Sequence, residues 1–184
     1  MIRRPPRSTQ SRSSAASDVY KRQVDRLLAA RAARDFYAAS ERKPLIIIQA
    51  GTAVTVDAVD AEGCFGGGII LPGPRLWLEG LSLAARIPRF AAEDIDWRIL
   101  MAPADSWPGQ DTREAVLRGL AMGLPAAIGA VGRALAQAVG ASQFCLTGGW
   151  AENLQPLLPF SAVLAPDLVL HGIRLVAEDI RRDL

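Results

Sequence analysis

The stretch IIIQAGTAVTVD, residues 46–57, decides how this chain folds. Three isoleucines form an apolar run that ends in polar Gln49, and a second β-prone run closes on Asp57. The Gly51-Thr52 pair between them predicts a hairpin turn. Glycine lets a backbone approach an anion, and turn N–H groups and a threonine hydroxyl can donate to phosphate oxygens. The stretch therefore predicts two strands and a turn suited to phosphate.

The segments on either side extend the hairpin into a layer. Strands are predicted at 45–49 and 53–59, and the turn DAEG at 60–63 leads into a third strand, CFGGGIIL. These runs form a three-stranded antiparallel meander. A helix follows Pro74 and reaches Leu83, and the proline-containing residues 88–109 are predicted to form a loop.

Helices dominate the rest of the chain. A first helix starts at Val24, and the longest starts after Asp111, which can cap it with Glu114 at the reciprocal position. Then come a strand in QFCLTGG, a short helix in AENLQPLL, a short strand in SAVLAP and a terminal helix in DLVLHGIRLVAEDIRR. Helical spacing predicts an apolar face of Leu27, Leu28, Ala32 and Phe36 on the first helix, and of Val116, Leu120, Leu124, Ala127, Val131, Leu135 and Val139 on the longest.

This order of elements predicts the fold class. Three antiparallel strands, a helix and then alternating strands and helices indicate a ribonuclease-H-like α/β layer. Such a layer forms the second half of the actin/hexokinase/Hsp70-type ATP-binding fold, in which nucleotide binds between two halves. We expect residues 24–43 to be a remnant helix of the N-terminal half, which is mostly missing, and residues 44–184 to be the C-terminal domain.

The first 23 residues differ from the rest in charge. They hold six of the 21 lysines and arginines and one acid, so the remainder carries 15 basic against 18 acidic residues, a net charge of −3. A basic tail can be a nucleic-acid arm or a targeting peptide, but it lacks the apolar stretch of a secretory signal. DVYKRQ is what GAT GTG TAT AAG AGA CAG encodes, which resembles a sequencing adapter. We therefore predict a disordered, artefactual tail and a natural sequence that begins near Val24.

Composition excludes several other classes. Cys64 and Cys145 are far apart and lack metal-binding spacing, so we expect neither a disulfide framework nor a zinc site. We expect a cytoplasmic protein, because the cytoplasm keeps thiols reduced. No apolar run approaches the ~20 residues of a membrane span. With the tail set aside, neither nucleic acid nor membrane is an expected partner.

The ordered motifs VDR, AGTAVTVD, FGGGIILPG, AARIP, DT, LTGG and PDLVLHGI resemble those of type III pantothenate kinases, including their Bvg accessory factor relatives. The resemblance covers about residues 24–184. It implies phosphorylation of the pantothenate hydroxyl by ATP with Mg²⁺, the first step toward coenzyme A, activated by a monovalent cation (K⁺ or NH₄⁺). It also implies a homodimer, with Gly67, Gly68, Pro72 and Gly73 in its interface motif.

The resemblance assigns a role to three polar side chains near pantothenate. Asp25 would be the catalytic base that takes the hydroxyl proton, and Arg26 would hold the substrate, whose carboxylate suits arginine. Without the family, these two residues indicate only an exposed helix start. Thr112 would contact pantothenate; otherwise it is a helix-capping residue.

ATP-binding roles are implied in the same way. Gly51 and Thr52 match the second phosphate motif. Thr147, Gly148 and Gly149 match the adenosine motif, where a bare turn admits the nucleoside.

The chain departs from the family pattern twice. An N-terminal Asp-x-Gly-Asn-Thr hairpin is absent, and Gln49 stands where many members carry the aspartate that helps to bind the monovalent cation. The nearby Asp57 indicates a solvated strand end or, less directly, an ion site. Two functions stay open: a small-molecule kinase seen as a fragment, or a kinase-like regulatory protein without turnover.

Overall fold

The computed structural model describes most of the chain from Val24 onward. The predicted tail and most of the predicted loop at 88–109 lie outside the described residues, which are 24–38, 43–84, 87, 89–90, 95 and 108–182.

The core is one five-stranded sheet. Strands β1 (Leu45–Ala50), β2 (Ala53–Val59) and β3 (Phe65–Pro72) form the predicted antiparallel meander. Strand β4 (Gln143–Thr147) pairs with β1 in parallel, and β5 (Val163–Leu164) pairs with β4 in parallel. The resulting order β3-β2-β1-β4-β5 is that of a ribonuclease-H-like layer and confirms the predicted α/β fold class.

The helices pack on both faces of this sheet. They are α1 (Val24–Ala33), which continues into a π-helical turn (Arg34–Ala38), α2 (Pro74–Ala84), α3 (Thr112–Val139), α4 (Ala151–Leu154) with a following 3₁₀ turn (Gln155–Leu157), and α5 (Leu168–Arg182). Alternation along β1 separates two cores: Ile46 and Ile48 pack toward α3, whereas Leu45 and Ile47 pack toward α1 and α5.

Helix α1 buries a different face from the predicted one. Of the predicted face Ala32 is buried, whereas Leu27 and Leu28 are only half-buried and Phe36 is exposed; the other buried residues are Arg26, Ala29, Ala30 and Ala33. The cause is the close approach of α5, where a side chain at Gly172 would collide with the backbone of Leu28. Small residues let the α1 backbone approach α5 closely while α1 also packs on the sheet, so these contacts come from close packing and not from bulky side chains.

Helix α3 starts as predicted, with one change in its cap. The Asp111 carboxylate accepts a hydrogen bond from the Glu114 N–H at 2.8 Å, while the Glu114 carboxylate accepts from the Gln110 N–H instead of the Asp111 N–H. The predicted apolar face holds as far as Leu124. Beyond it the buried positions are Ile128, Gly129, Gly132 and Ala136, so the predicted Ala127, Val131, Leu135 and Val139 are only half-buried.

The length of α3 corrects the sequence expectation about membrane spans. By length and composition its 28 residues could cross a membrane, since its most apolar 18-residue window has a mean hydropathy of 1.5. Half of that window is buried within the fold, and a single such helix is weak evidence for a span. Its packing against β1 and β2 explains its apolar content.

Candidate functional site

Two loops that the sequence singles out meet at one edge of the sheet. Because β1 and β4 are parallel neighbours, with Gln49 opposite Thr147, their carboxyl ends lie side by side. The Trp150 N–H donates to the Ala50 carbonyl at 3.0 Å, which ties the loop after β4 to the end of β1. Gly148 has a φ of 99°, and a Cβ there would lie 2.5 Å from the Ala50 oxygen. Glycine at 148 therefore permits this contact between the predicted phosphate and adenosine turns.

Backbone hydrogen bonds hold the predicted phosphate turn. The Gly51 N–H donates to the Ala53 carbonyl and the Gly73 N–H donates to the Thr52 carbonyl, both at 3.0 Å. The Gly51 N–H is therefore engaged within the turn and is not available to phosphate in this conformation. The Thr52 side chain is exposed, so its hydroxyl is the accessible donor of the pair.

A cleft opens beside the glycine turn that follows β4. It has a volume of about 380 Å³ and lies between this turn and the start of α5, and its lining includes Asp167, just before α5, and Leu168, the first residue of α5. Thr147 is buried at its base, where its hydroxyl donates to the Pro166 carbonyl at 3.3 Å. The volume falls in the range of small-ligand clefts, so it suits part of a nucleotide.

Helix α1 brings its first turn to the same edge. Arg26 reaches Asp57 near the middle of β2, and Arg34 lies against Gly63 beyond the end of β2, so α1 runs in the direction of β2 and opposite to β1. Its N-terminus accordingly lies toward the end at which β1 and β4 finish. Asp25 is exposed there, as expected of a group that must reach a substrate.

Arg26 and Asp57 form the buried ion pair of this region. The Arg26 Nε donates to both Asp57 carboxylate oxygens, at 3.0 and 3.2 Å, and Nη2 donates to Oδ1. Asp57 is 1% exposed, so it is not the solvated strand end that was one expectation for it. It faces inward because it lies opposite Ile47, on the side of the sheet covered by α1. Arg26 is likewise buried, unlike the exposed helix start that the sequence indicates without the family.

Contacts within this chain explain why two positions of the predicted interface motif are glycine. A side chain at Gly68 would collide with the Asp57 carboxylate and the Val56 carbonyl, so glycine makes room for the ion pair. A side chain at Gly73 would collide with the backbone of Gly51 and Thr52, so glycine lets the end of β3 close on the phosphate turn. Both contacts support the site directly.

A row of polar side chains crosses the sheet at this edge. Thr55, Gln49 and Thr147 lie opposite one another on β2, β1 and β4, on the α1 side. The amide nitrogen of Gln49 is buried, and among the described residues it finds no hydrogen-bond acceptor. Buried amide donors are normally paired, so this nitrogen is a candidate for contact with a ligand oxygen.

The structure does not bring Thr112 to this group within one chain. Thr112 is exposed at the start of α3, and α3 packs on the opposite face of the sheet from α1. By contrast, Gly51, Thr52, Thr147, Gly148 and Gly149 lie where β1 and β4 end, and Asp25 and Arg26 lie on α1, whose N-terminus points toward that end.

Sequence reasoning missed the partners of Arg26. Asp57 and Thr55 lie on the α1 face, and the Thr55 hydroxyl donates to Asp57 Oδ2 at 2.8 Å. The observable sign was a single acidic residue, Asp57, in a strand whose other residues are apolar or threonine, TAVTVDAV. Asp167 in the cleft carried no sign of its own beyond its place in PDLVLHGI.

Comparison with known proteins supports the reading of these motifs. The sequence model of the family described as type III pantothenate kinase matches residues 18–134. The match begins six residues before Val24, inside the segment predicted to be artefactual, and that origin of the tail stays a prediction.

Curated relatives agree with the family match. The chain is 42% identical over 155 residues to a type III pantothenate kinase of Rhodopirellula baltica, covering 82% of this chain and 52% of the relative. It is 39% identical to one of Alkalilimnicola ehrlichii, covering 73% and 51%. The chain thus spans about half the length of the curated relatives it matches.

Solved structures agree on the fold. A Baf family protein from Campylobacter jejuni superimposes with a TM-score of 0.55 at 22% identity, covering 86% of this chain and 65% of that one. The activator of 2-hydroxyisocaproyl-CoA dehydratase from Clostridium difficile, with bound ADPNP, gives 0.52 at 12% identity, covering 87% and 69%. These likenesses concern architecture alone, and on the sequence evidence the chain belongs to the type III pantothenate kinase family.

Proposed function

We propose that the protein to which this chain belongs transfers a phosphoryl group from ATP to the hydroxyl of pantothenate. One observation carries the proposal: the Thr52 turn, the Gly148 turn and the first turn of α1 lie at the same edge of the sheet. That arrangement supports a phosphate donor and an acceptor hydroxyl meeting beside Asp25. Phosphoryl transfer depends mainly on such positioning and on charge stabilisation.

Each group has a role that follows from its chemistry. Asp25, exposed at the α1 start, would accept the proton of the attacking hydroxyl, and the guanidinium of Arg26 would hold the pantothenate carboxylate. The Thr52 hydroxyl would donate to a phosphate oxygen. The cleft beside Gly148 and Gly149 would take the nucleoside, where the absence of side chains leaves room for it.

Mg²⁺ fits this proposal as a companion of ATP. Among the residues that the structure describes, no three acidic, histidine or cysteine side chains form a metal cluster. Mg²⁺ commonly keeps one or two protein carboxylates and takes its other ligands from phosphates and water. Bound in that way it would neutralise phosphate charge during transfer.

A monovalent cation fits less well. Gln49 offers a carbonyl oxygen but no charge where the family pattern has a carboxylate, so it attracts a cation less strongly. We propose that this protein responds weakly to K⁺ or NH₄⁺. The regulatory alternative gains no support, since the Baf family likeness, at 22% identity, shows only the fold.

We further propose a cytoplasmic homodimer. Cys64 and Cys145 are both free, which fits a reducing compartment. Strand β3 lies at the edge of the sheet and exposes Ile69 and Ile70 beside the motif glycines. An exposed apolar edge strand is a surface that a second subunit can cover. Light scattering should give a dimer for the chain and a monomer for Ile70→Lys; an unaltered mass for the variant would place the interface elsewhere.

A coupled assay with ATP, Mg²⁺ and pantothenate tests the function. We compare the chain with an extended chain, in which the N-terminal half of the Alkalilimnicola ehrlichii relative precedes residues 24–184. The chain alone should turn over poorly, because the family's first phosphate hairpin is absent from it, and the extended chain should be active. Robust turnover by the chain alone would refute the first expectation, and an inactive extended chain that still binds ATP would refute the kinase.

A further inference from the structure

Asp57 holds the guanidinium of Arg26 by one of its two hydrogen-bonding edges. A guanidinium can bind a carboxylate through the edge formed by Nε and Nη2, or through the end formed by Nη1 and Nη2. The contacts from Nε and Nη2 show that Asp57 takes the first edge. The end-on edge therefore remains for a second carboxylate.

Three neighbouring residues surround the pair, one beside the guanidinium and two beside the carboxylate. The Phe65 ring lies 5.3 Å from the central carbon of the guanidinium, in the range of a cation–π contact. The Thr55 hydroxyl donates to Asp57 Oδ2 at 2.8 Å and so restrains the carboxylate. Gly68 provides the space in which the carboxylate sits. The pair is therefore built from β2, β3 and α1 together.

We infer that Asp57, restrained by Thr55, is a positioning residue that aims the end-on edge of Arg26 at the carboxylate of the acceptor substrate. The inference rests on the proposed function, because it takes pantothenate as that substrate. Its consequence is specificity: the chain should prefer the carboxylate to an uncharged analogue, and the preference should depend on how Asp57 and Thr55 hold Arg26.

The test measures that preference directly. Pantothenate and pantothenyl alcohol, in which a hydroxymethyl group replaces the carboxylate, are titrated into the full chain, and both dissociation constants are read from NMR chemical shifts. The ratio of the two constants reports recognition of the carboxylate. General loosening of the fold weakens both ligands and leaves the ratio unchanged, so the ratio separates positioning from stability.

Variants that conserve charge isolate the geometry. Asp57→Glu keeps the charge but lengthens the side chain, and we expect it to lower the preference about tenfold, the factor expected when one charge-assisted hydrogen bond is misaligned. Thr55→Val removes only the hydroxyl and should lower the preference by a smaller factor, while Thr55→Ser restores it. Glu62→Asp, in the exposed turn before β3, is the matched control and should leave the ratio unchanged.

The outcomes distinguish the two proposals. If the unmodified chain binds neither ligand, the pantothenate site fails and the inference fails with it. If it binds both ligands equally, Arg26 does not read the carboxylate, and the inference fails while the kinase proposal stands. If Asp57→Glu does not fold, Thr55→Val decides the matter, and an unchanged ratio in that variant overturns the inference.

Discussion

The two faces of the sheet carry different types of side chain. On the α3 side, Ile46, Ile48, Val54 and Val56 are fully buried and meet large apolar side chains of α3. On the α1 side, alanines pack against Ile47 and Val59, and the strands also carry Gln49, Thr55, Asp57 and Thr147. One face stabilises the layer, and the other holds polar groups next to the edge where the loops meet.

This difference explains how one α/β layer can hold buried polar groups and still be stable. A buried charge pair is costly to desolvate and contributes little net stability compared with an apolar pair of the same size. The α3 face, where the buried strand residues are apolar, stabilises the layer enough to offset that cost. We therefore expect the ion pair of the α1 face to serve function, so that replacing both of its partners by apolar residues costs little stability, whereas substitutions on the α3 face act on stability alone.

The largest expected effect is on turnover. In the extended chain, Asp25→Asn should reduce kcat by about 10²–10⁴-fold while ATP affinity stays near that of the parent, because asparagine cannot accept the hydroxyl proton. Steady-state assays and ATP titration measure the two quantities. Asp35→Asn, in the π-helical turn that continues the same helix and paired with Arg31, is the control and should keep full activity. A near-full rate for Asp25→Asn would remove Asp25 as the base.

The second expected effect is on folding and compares the two faces directly. Asp57→Leu should lower the free energy of unfolding by about 3–5 kcal/mol, because it leaves the Arg26 charge buried and unpaired. Replacing both Arg26 and Asp57 by leucine should recover most of that loss. On the α3 face, Leu124→Ala should cost about 2–5 kcal/mol through a cavity.

Urea titrations of the unmodified chain and of these three variants give the free energies of unfolding. If the double variant is as unstable as Asp57→Leu alone, the ion pair itself stabilises the fold. The proposed contrast, in which only the α3 face serves stability, would then be wrong.

The sequence predicted the layer well because its signals are local. Alternation along TAVTVDAV, the glycine turn and the capping pair Asp111 and Glu114 each act over a few residues, and the strands and helices lie where these patterns place them. The buried side of helix α1 was predicted correctly only at Ala32, because Gly172 and the alanines matter only once α5 has packed against α1, a contact between residues distant in sequence.

The site was predictable only in part for the same reason. Glycine turns after β1 and β4 can be found from local pattern, and their adjacency follows from a parallel pairing. The partner of Arg26 could not be found in this way, because Asp57 lies 31 residues further along the chain. The alternation of the strand predicts the face of the sheet on which Asp57 lies, but not the residue that it contacts. The unpaired nitrogen of Gln49 likewise appears only with the fold.

A third prediction contrasts two neighbouring glycines. Gly148→Ala should lower the free energy of unfolding by about 1–3 kcal/mol, because alanine is strained at a positive φ and would collide with Ala50. Gly149→Ala meets no atom within 4 Å and should leave stability unchanged, yet weaken ATP binding if the bare turn admits the nucleoside. Thermal unfolding and ATP titration separate the two effects. Unchanged ATP affinity in Gly149→Ala would move the nucleoside out of the cleft.

A smaller effect is expected at the centre of the polar row. In the extended chain, Gln49→Asp should introduce or strengthen activation by K⁺ by a few-fold, about 1 kcal/mol, because a carboxylate attracts a cation that the neutral amide does not. Turnover is measured against K⁺ concentration at constant ionic strength, with Na⁺ in its place as the control. A flat K⁺ response would mean that position 49 does not reach a cation.

The smallest effect concerns Cys145, on the α1 face of β4 beside Ile47. Burial raises the pKa of its thiol to about 12, although the backbone hydrogen bond with Leu146 lowers it. The unfolded chain loses this proton near pH 9 and the folded chain keeps it, so the free energy of unfolding falls as pH rises from 9 toward 12. At pH 9.5 the free energy of unfolding should be lower than at pH 7 by about 1 kcal/mol.

The difference in unfolding free energy between the chain and Cys145→Ala, measured by urea at pH 7, 8.5 and 9.5, isolates this contribution from other titrating groups. Removing the thiol leaves a small cavity whose cost does not vary with pH, so only the pH-dependent part of the difference reports the thiol. A thiol reagent at pH 8 should react with exposed Cys64 and leave Cys145 unmodified until denaturant is added. A pH-independent difference, or rapid modification of both thiols, would show that the α1 face opens to water at Cys145 and is less closed than its packed alanines indicate.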